Sequence, residues 1–325
     1  MLFCGIDTSN YTTSAALCDE HKNIIANIKY PLPVKEGERG LRQSDAVFAH
    51  IKNLPAVTRD LRRVIESTGD RLAAVAVSSQ PRDEEGSYMP CFLSGVSSAS
   101  MLALGADVPL YFTSHQQGHI MAAYETSGAD AARLLEMFGS FIAFHVSGGT
   151  TECVLVKREA CGFHIDLLGG TADLNAGQAV DRIGVLLGLK FPCGPEMEKL
   201  ALNCSGKSAN VKISVKDRLC NLSGLENNAQ RMIKSGVLAE EVCNYTFTFI
   251  AKTLCKLAEN ARSSYGDLPI VWAGGVMSNS IIKAYLARLG NVFFTEPQYS
   301  SDNAVGVSLI CREKYMHEIG ETDHE

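Results

Sequence analysis

The chain has 325 residues, of which 46% are hydrophobic and 20% are charged, and its formal net charge is -6 at pH 7. This balance is typical of a globular protein, and the length predicts two lobes because a single hydrophobic core stops growing at roughly 250–300 residues. An acidic chain binds nucleic acid only through a local basic patch, and no apolar run is long enough to span a membrane. We expect a cytoplasmic protein without a signal peptide and with no membrane partner.

Two similar hairpins are predicted, about 140 residues apart. The first spans residues 2–18 and contains a hydroxyl-rich turn that begins at Asp7. The second spans residues 141–156 around the turn Ser147-Gly148-Gly149-Thr150-Thr151. The recurrence predicts two related lobes, and a chance likeness of two short hairpins is the alternative.

Amphipathic patterns predict helices between and after the hairpins, over residues 50–67, 94–105 and 236–265. Pro55 is expected to interrupt the first of these helices. A strand over residues 270–272 leads into Gly274-Gly275, and a helix follows as far as residue 289. The polar stretch 203–228 is expected to be irregular. Alternating strands and helices of this kind indicate an α/β protein with helices covering its sheets.

The eleven cysteines show no pattern that indicates a metal or redox site. No two of them have the Cys-x-x-Cys spacing of a zinc ribbon or a thioredoxin motif. Several lie inside apolar runs, where a free thiol packs as a small hydrophobic group. We therefore expect reduced, inert thiols.

The glycine-rich turns are candidate phosphate sites. Turns of Ser, Thr and Gly expose backbone N–H groups and hydroxyls, which bind anionic phosphate, and adjacent glycines permit close approach of a ligand. Gly148-Gly149 and Gly274-Gly275 are the two best candidates, and the turn after Asp7 is a third. Each alone could be an ordinary tight turn, but together they favour a nucleotide site between two lobes.

His115 and His119 are candidate metal ligands. On a helix, residues four apart lie on one face, so both imidazoles can reach one ion. No Glu follows His115, so the general base of a zinc metallopeptidase is missing and peptidase activity is not expected. A third ligand, such as a carboxylate, would complete the site. A purely structural histidine pair is the alternative.

Six motifs occur together, in this order: His115-x-x-x-His119, Val146-Ser147-Gly148-Gly149, Ala176-Gly177-Gln178-Ala179-Val180-Asp181, Pro192-Cys193-Gly194-Pro195, Ala273-Gly274-Gly275-Val276 and Ser301-Asp302-Asn303. In this combination the chain resembles the TsaD family. That family, also called Gcp and once described as an O-sialoglycoprotein endopeptidase, makes threonylcarbamoyladenosine in tRNA. The resemblance covers the whole chain and is strongest from residue 108 onwards.

The resemblance implies an α/β fold of the two-lobed actin, hexokinase and Hsp70 kind (ASKHA), with a central ligand cleft. The first lobe would comprise residues 1–112 plus 301–325, and the second residues 113–300. The implied activity is metal-dependent acyl transfer, in which a threonylcarbamoyl group passes from threonylcarbamoyl-adenylate to the adenosine beside the anticodon of tRNA, or a closely related carbamoyl transfer. The implied partners are tRNA as acceptor, a TsaB-like homologue and a TsaE-like ATPase.

The resemblance also implies the site residues. One divalent metal ion, iron or zinc, would be held by His115, His119 and Asp302, and would polarise the carbamoyl carbonyl. ATP or threonylcarbamoyl-adenylate would be bound by His145, Val146, Ser147, Gly148, Gly149, Asp181, Gly194, Gly274, Gly275 and Asn279.

The chain departs from the family pattern at several positions. Asn10, Thr150 and Gln178 stand where the family has acidic or histidine residues, and residues 80–85 replace a Gly-Pro-Gly loop. Residues 37–48 lack a further glycine-rich stretch. A catalytically weakened paralogue that acts as a nucleotide-binding scaffold or regulator is therefore the alternative function, and a transferase with another acceptor is a third.

Overall fold

The computed structural model describes residues 1–9, 11–33, 41–128, 135–204, 211–300 and 303–322, and two sheets organise them. The first sheet has the order β3-β2-β1-β4-β5. Its strands are β1 (Leu2–Asp7), β2 (Thr12–Asp19), β3 (Ile24–Pro31), β4 (Leu72–Gln80) and β5 (Leu110–Ser114). β1, β2 and β3 form an antiparallel meander, whereas β4 and β5 run parallel to β1.

The second sheet has the order β12-β11-β6-β7-β8-β10-β9. Its strands are β6 (Ser140–Val146), β7 (Thr151–Arg158), β8 (Phe163–Thr171), β9 (Val215–Lys216), β10 (Leu219–Cys220), β11 (Ile270–Ala273) and β12 (Val292–Phe294). The five strands β8-β7-β6-β11-β12 repeat the order and the relative directions of the first sheet. The predicted duplication of the two hairpins is therefore confirmed and extends to five strands in each sheet.

Helices connect and cover the sheets. They are α1 (Gln43–Thr68), α2 (Phe92–Ala106), α3 (His115–Thr126), α4 (Ala176–Leu186), α5 (Gly194–Leu202), α6 (Ser223–Lys234), α7 (Ala239–Tyr265), α8 (Ser280–Leu286), α9 (Pro297–Ser300) and α10 (Val305–Thr322). The three predicted helices are present as α1, α2 and α7. Beyond residue 274, short 3₁₀ turns at Gly275–Ser278 and Ala287–Leu289 flank α8.

Two local predictions are wrong. Pro55 lies inside α1 without ending it, because Val57 and Leu61 in the following turns are buried and hold the helix against the sheet. The stretch 203–228 is not wholly irregular: it contributes β9 and β10, and α6 begins at Ser223. These two strands gain their order from pairing with each other and with β8, which a local pattern does not reveal.

All eleven cysteines fall in the described part of the chain and are free thiols, as expected. Burial raises the pKa of Cys4 and of Cys153 to about 12, so these thiols stay protonated at neutral pH. Across the described ranges, no helix has a stretch long and apolar enough to cross a membrane.

Helix α10 returns to the first sheet and packs along α3. A side chain at Gly5 of β1 would collide with the backbone of α10 at Ser308 and Ala304. A side chain at Gly306 would collide with the Gly118 carbonyl of α3. These glycines let β1, α10 and α3 approach backbone to backbone, which fixes the position of α3. The predicted boundaries of the two lobes remain a prediction.

Gly306→Ala should destabilise the protein by roughly 2–4 kcal/mol, because the added methyl group has no room beside α3. Gly320→Ala, in the same helix, is the matched control: it meets nothing within 4 Å, so it should be neutral or stabilise by about 1 kcal/mol. Urea unfolding of both variants measures the difference. Equal stabilities would contradict the close packing of α10 on α3.

Candidate functional site

Two cavities meet at the turn that follows β6, and Gly148 lines both of them. The histidine cavity, of 370 Å³, is lined by Ser9, Tyr11, Pro81, Arg82, Ser87, Tyr88, Met89, Phe92, His115, Gln116, His145, Ser147, Gly148, Gly149, Thr150 and Glu152. The Asp181 cavity, of 440 Å³, is lined by Gly148, Gly177, Val180, Asp181, Pro192, Gly194, Pro195, Glu198, Phe247, Gly275, Val276, Ser278 and Asn279. The histidine cavity is lined by the loops after β1 and β4, by the start of α3, and by His145 and Glu152 of the second sheet. The lining residues of the Asp181 cavity all fall within positions 148–279.

The predicted histidine pair lies at the start of α3. Ser114 caps this helix, because its hydroxyl accepts a hydrogen bond from the Gln117 N–H at 3.2 Å. One helical turn separates His115 from His119, and their Nε2 atoms are 3.1 Å apart. With metal–nitrogen bonds of about 2.0–2.1 Å, this separation corresponds to an N–metal–N angle of about 100°, which suits tetrahedral coordination. It also suits a direct hydrogen bond between the two rings.

Asp7 orients the first of these histidines. Its Oδ1 is 3.0 Å from His115 Nδ1, and a proton on that nitrogen gives Nε2 the lone pair that a metal ligand requires. Asp7 is fully buried and accepts hydrogen bonds from the hydroxyls of Ser9 and Ser78. Burial alone would raise the pKa of Asp7, but His115 and the two hydroxyls hold the pKa below its ordinary range. The sequence analysis missed this role, although Asp7 stands where β1 ends in a polar turn.

His145 approaches the pair from the second sheet. Its ring centroid is 4.3 Å from that of His119, and it lies in β6. Its Nε2 is buried and has no hydrogen-bond partner among the described residues. Burial, followed by the charges of His119, His115 and Arg82, lowers the pKa of His145 well below 6.5. The imidazole is therefore neutral at physiological pH, and its unpartnered nitrogen can accept a hydrogen bond or a ligand.

The donor set fits a metal ion only in part. The two Nε2 atoms of α3 converge, and Asp7 supports one of them from behind. Asp302, the predicted third ligand, lies outside the described residues. Within the residues that are described, no group of three or more His, Cys, Asp or Glu side chains is arranged to hold an ion. The triad of His115, His119 and Asp302 therefore remains a prediction.

The turn after β6 is held by its own hydrogen bonds and by two other loops. The Ser147 hydroxyl accepts hydrogen bonds from the N–H groups of Gly149 and Thr150, at 3.3 and 3.1 Å. A side chain at Gly177 would lie 2.7 Å from the Gly148 backbone. Gly274 has a φ of +97° and packs against the Val146 carbonyl in the same way. Gly274 and Val146 are absent from the linings of the histidine cavity and the Asp181 cavity; their close packing brings the two loops together.

The Asp181 cavity is lined by several of the predicted residues, among them Asp181, Gly194, Gly275 and Asn279. The Asp181 carboxylate accepts a hydrogen bond from the Cys193 N–H at 2.9 Å, and burial raises the pKa of Asp181. Asn279 Oδ1 caps α8 by accepting from the Ile282 N–H at 3.0 Å, so Nδ2 is the group left for a ligand. Polar groups at one side and apolar walls such as Phe247 suit a nucleoside.

The departures from the family pattern fall in different places. Thr150 lines the histidine cavity, whereas Gln178 forms a capping box with Asn175 at the start of α4 and lines neither cavity. Asn10 lies outside the described residues. A further pair was not predicted: Arg82, in the segment that replaces the Gly-Pro-Gly loop, forms an ion pair with Glu152 of β7. The unusual loop sequence was the available signal.

The sequence profile of the family described as "TsaD: tRNA N6-adenosine threonylcarbamoyltransferase" matches residues 23–308. A tRNA N6-adenosine threonylcarbamoyltransferase of Sulfurihydrogenibium sp. is 30% identical over 325 residues, covering 97% of this chain and 91% of the relative. The enzyme of the same description from Thermosipho africanus is 27% identical over 327 residues, covering 97% and 94%. The match therefore extends over nearly the whole length of these proteins.

Solved structures with the same fold share little sequence. HypF of T. kodakarensis superposes with a TM-score of 0.57 at 12% identity, covering 97% of this chain and 48% of HypF. The activator of 2-hydroxyisocaproyl-CoA dehydratase from Clostridium difficile gives 0.54 at 14% identity, with 99% and 98% covered. A ROK hexokinase from Thermus thermophilus gives 0.50 at 14%, with 98% and 100% covered. The predicted two-lobed fold of the actin, hexokinase and Hsp70 kind is therefore confirmed.

In metal-free protein, the His145 imidazole should titrate below the ordinary histidine value of about 6.5, because burial and the neighbouring charges lower its pKa. Titration of ¹⁵N-labelled histidine by NMR measures this, and His145→Gln assigns the signal. His119→Ala should raise the His145 midpoint, because one neighbouring charge is removed. A wild-type midpoint at or above 6.5 would contradict the described burial.

Proposed function

The chain belongs to the tRNA N6-adenosine threonylcarbamoyltransferase family, and we propose that it transfers a threonylcarbamoyl group from threonylcarbamoyl-adenylate to the adenosine beside the anticodon of tRNA. The observation that carries this proposal is the meeting of two cavities at Gly148. One of them suits a nucleoside, and the other contains the histidines. A substrate that joins a nucleotide to an acyl group needs two such adjoining compartments.

The Asp181 cavity holds the adenosine in this proposal. Asp181 and the Nδ2 group of Asn279 would orient the ribose or the base, and apolar side chains would enclose the ring. The phosphate would then lie at the turn, where the backbone N–H group of Gly148 would stabilise its charge. The acyl carbonyl would extend past Gly148 into the histidine cavity.

The transfer is an acyl substitution. The exocyclic amine of the acceptor adenosine attacks the carbamoyl carbon and a C–N bond forms. The C–O bond to the phosphate then breaks, AMP leaves with the bonding electron pair, and the amine gives up one proton to water. Negative charge develops on the carbonyl oxygen and on the departing phosphate. In this proposal the turn at Gly148 faces the phosphate. Neutral His145 offers its unpartnered Nε2 as a hydrogen-bond acceptor on the acyl side.

His115 and His119 would hold the divalent ion, iron or zinc, with Asp302 as the proposed third ligand. Such an ion supplies Lewis-acid polarisation of the carbonyl when it is bound. Asp7 contributes by holding His115 in the tautomer that presents Nε2. The fixed helix cap at Ser114 keeps both rings at the start of α3.

The tRNA contact is proposed from the family alone. The densest basic cluster of the sequence is Arg39, Arg42, Lys52, Arg59, Arg62 and Arg63. Three of these residues form local ion pairs in α1 or just before it: Arg42 with Asp45, Arg62 with Glu66, and Arg63 with Asp60. Arg39 lies outside the described residues. These local pairs leave α1 little net charge for tRNA. A TsaB-like homologue and a TsaE-like ATPase remain proposed partners.

One observation favours the second candidate, a catalytically weakened paralogue that binds nucleotide and acts as a scaffold or regulator. The substitution at Thr150 and the altered loop after β4 lie at the histidine cavity. Five of the predicted residues, with Gly148 among them, line the Asp181 cavity. Two of the departures therefore lie where the acyl group would react.

Reconstitution with ATP, bicarbonate, threonine, tRNA, an adenylate-forming enzyme and the family's usual partners should yield threonylcarbamoyladenosine, detected by mass spectrometry of digested nucleosides. His119→Ala should lower product formation at least 100-fold and lower bound metal in parallel, because one ligand is removed. His164→Ala, an exposed histidine paired with Asp166, is the control and should do neither. No product from wild-type protein that binds ATP would support the scaffold instead.

Gly177→Ala should weaken AMP binding at least tenfold, because the methyl group displaces the turn at Gly148 where the two cavities meet. Gly224→Ala in α6, which meets nothing within 4 Å, should leave the affinity unchanged. Isothermal titration with AMP compares the two variants. Similar affinities would show that the turn does not shape the nucleotide site.

A further inference from the structure

We propose that Arg82 binds the free carboxylate of the acyl group and thereby selects acyl donors that carry one. This inference rests on the proposed function, because it concerns the acyl compartment of the same site. Arg82 is the one Lys or Arg among the described residues that line the histidine cavity. A threonylcarbamoyl group has an amino-acid carboxylate, and a guanidinium recognises a carboxylate through paired N–H donors.

The backbone around Arg82 is fixed to the helix that carries the histidine pair. The Pro81 carbonyl accepts a hydrogen bond from the Gln116 N–H at 3.0 Å. On the other side, Asp83 Oδ2 accepts from the Ser114 hydroxyl at 3.1 Å. The Arg82 N–H itself donates to the Ser87 hydroxyl at 3.1 Å. The first two bonds tie the residues on either side of Arg82 to the start of α3, and the third holds the Arg82 backbone within its own loop.

Glu152 of the second sheet holds the Arg82 side chain but occupies only some of its hydrogen-bond donors. One terminal nitrogen, Nη2, bonds Glu152 Oε1, and Gln116 Nε2 donates to the other Glu152 oxygen at 3.3 Å. The second terminal nitrogen, Nη1, is 3.9 Å from Glu84, beyond hydrogen-bond distance. A guanidinium has five N–H donors, so within the described part of the chain most of those of Arg82 remain for a ligand.

Exposure of the pair agrees with a ligand-binding role. The Arg82 side chain is 35% exposed, whereas that of Glu152 is 13% exposed. Glu152 is thus the more buried, supporting partner, and Arg82, which lines the cavity, is the more exposed of the two. Apolar Met89 and Phe92 line the same compartment, which suits the short carbon chain of an amino acid next to its carboxylate.

Binding measurements with the full chain test this assignment. The probes are a non-hydrolysable sulfamate analogue of threonylcarbamoyl-adenylate, its counterpart with a carboxamide in place of the carboxylate, and AMP. Wild-type protein should bind the carboxylate analogue at least tenfold more tightly than the carboxamide. Arg82→Gln should abolish that preference and leave AMP affinity unchanged.

Glu152→Gln is the matched control, because it breaks the same ion pair but retains Arg82 and an oxygen that can accept its hydrogen bond. It should keep the carboxylate preference, with an unfolding midpoint close to that of Arg82→Gln. If both variants lost the preference for the carboxylate analogue, the Arg82–Glu152 ion pair would have only a structural role, and the assignment would be overturned. Equal weakening of all three probes by Arg82→Gln would instead place Arg82 on the phosphate.

Two further results separate this inference from the proposed function. Wild-type protein that binds AMP and both analogues without preferring the carboxylate would overturn the role of Arg82 and leave the transfer proposal standing. Wild-type protein that binds none of the three probes would contradict the proposed function itself, and the role of Arg82 with it.

Discussion

The close contact between α3 and α10 is the constraint on which the site depends. Gly118 and Gly306 carry no side chains, so the two helices meet along their backbones, and Gly5 lets α10 lie equally close to β1. The start of α3 is thereby set beside the end of β1, where Asp7 reaches His115. A small displacement of α3 would separate the carboxylate from the imidazole and move both histidines relative to the second sheet.

The two halves of the site contribute different chemistry. The second sheet supplies the turn at Gly148, which also borders the Asp181 cavity, where backbone amides, the carboxylates of Asp181 and Glu198, and apolar walls suit a nucleotide. The histidine cavity combines α3 and the loop after β4 with His145 and Glu152 of the second sheet. Charge is arranged accordingly: Asp7 is ionised and buried behind His115, while His145 is kept neutral. In the proposed reaction, the histidine cavity would bind and polarise the acyl group of a substrate whose nucleotide lies in the Asp181 cavity.

Sequence patterns were sufficient for the features that repeat or are local. The paired hairpins predicted two related sheets, the spacing of His115 and His119 predicted convergent nitrogens, and the glycine pairs predicted the loops at the cleft. Contacts between distant segments were not predictable in this way. Asp7 and His115 are 108 positions apart, and Arg82 and Glu152 are 70 apart, so only the fold brings each pair together. Pro55 was misjudged because packing of the following turns outweighs the loss of one helical hydrogen bond.

The central claim is that one substrate occupies both cavities, with Gly148 between its nucleotide and its acyl group. A crystal structure of the protein with the sulfamate analogue of threonylcarbamoyl-adenylate tests this most directly. The account predicts that the adenosine lies beside Asp181 and Asn279, and that the acyl carbonyl lies on the side of His115 and His145. An adenosine bound in the histidine cavity, or an acyl group directed away from the histidines, would contradict it.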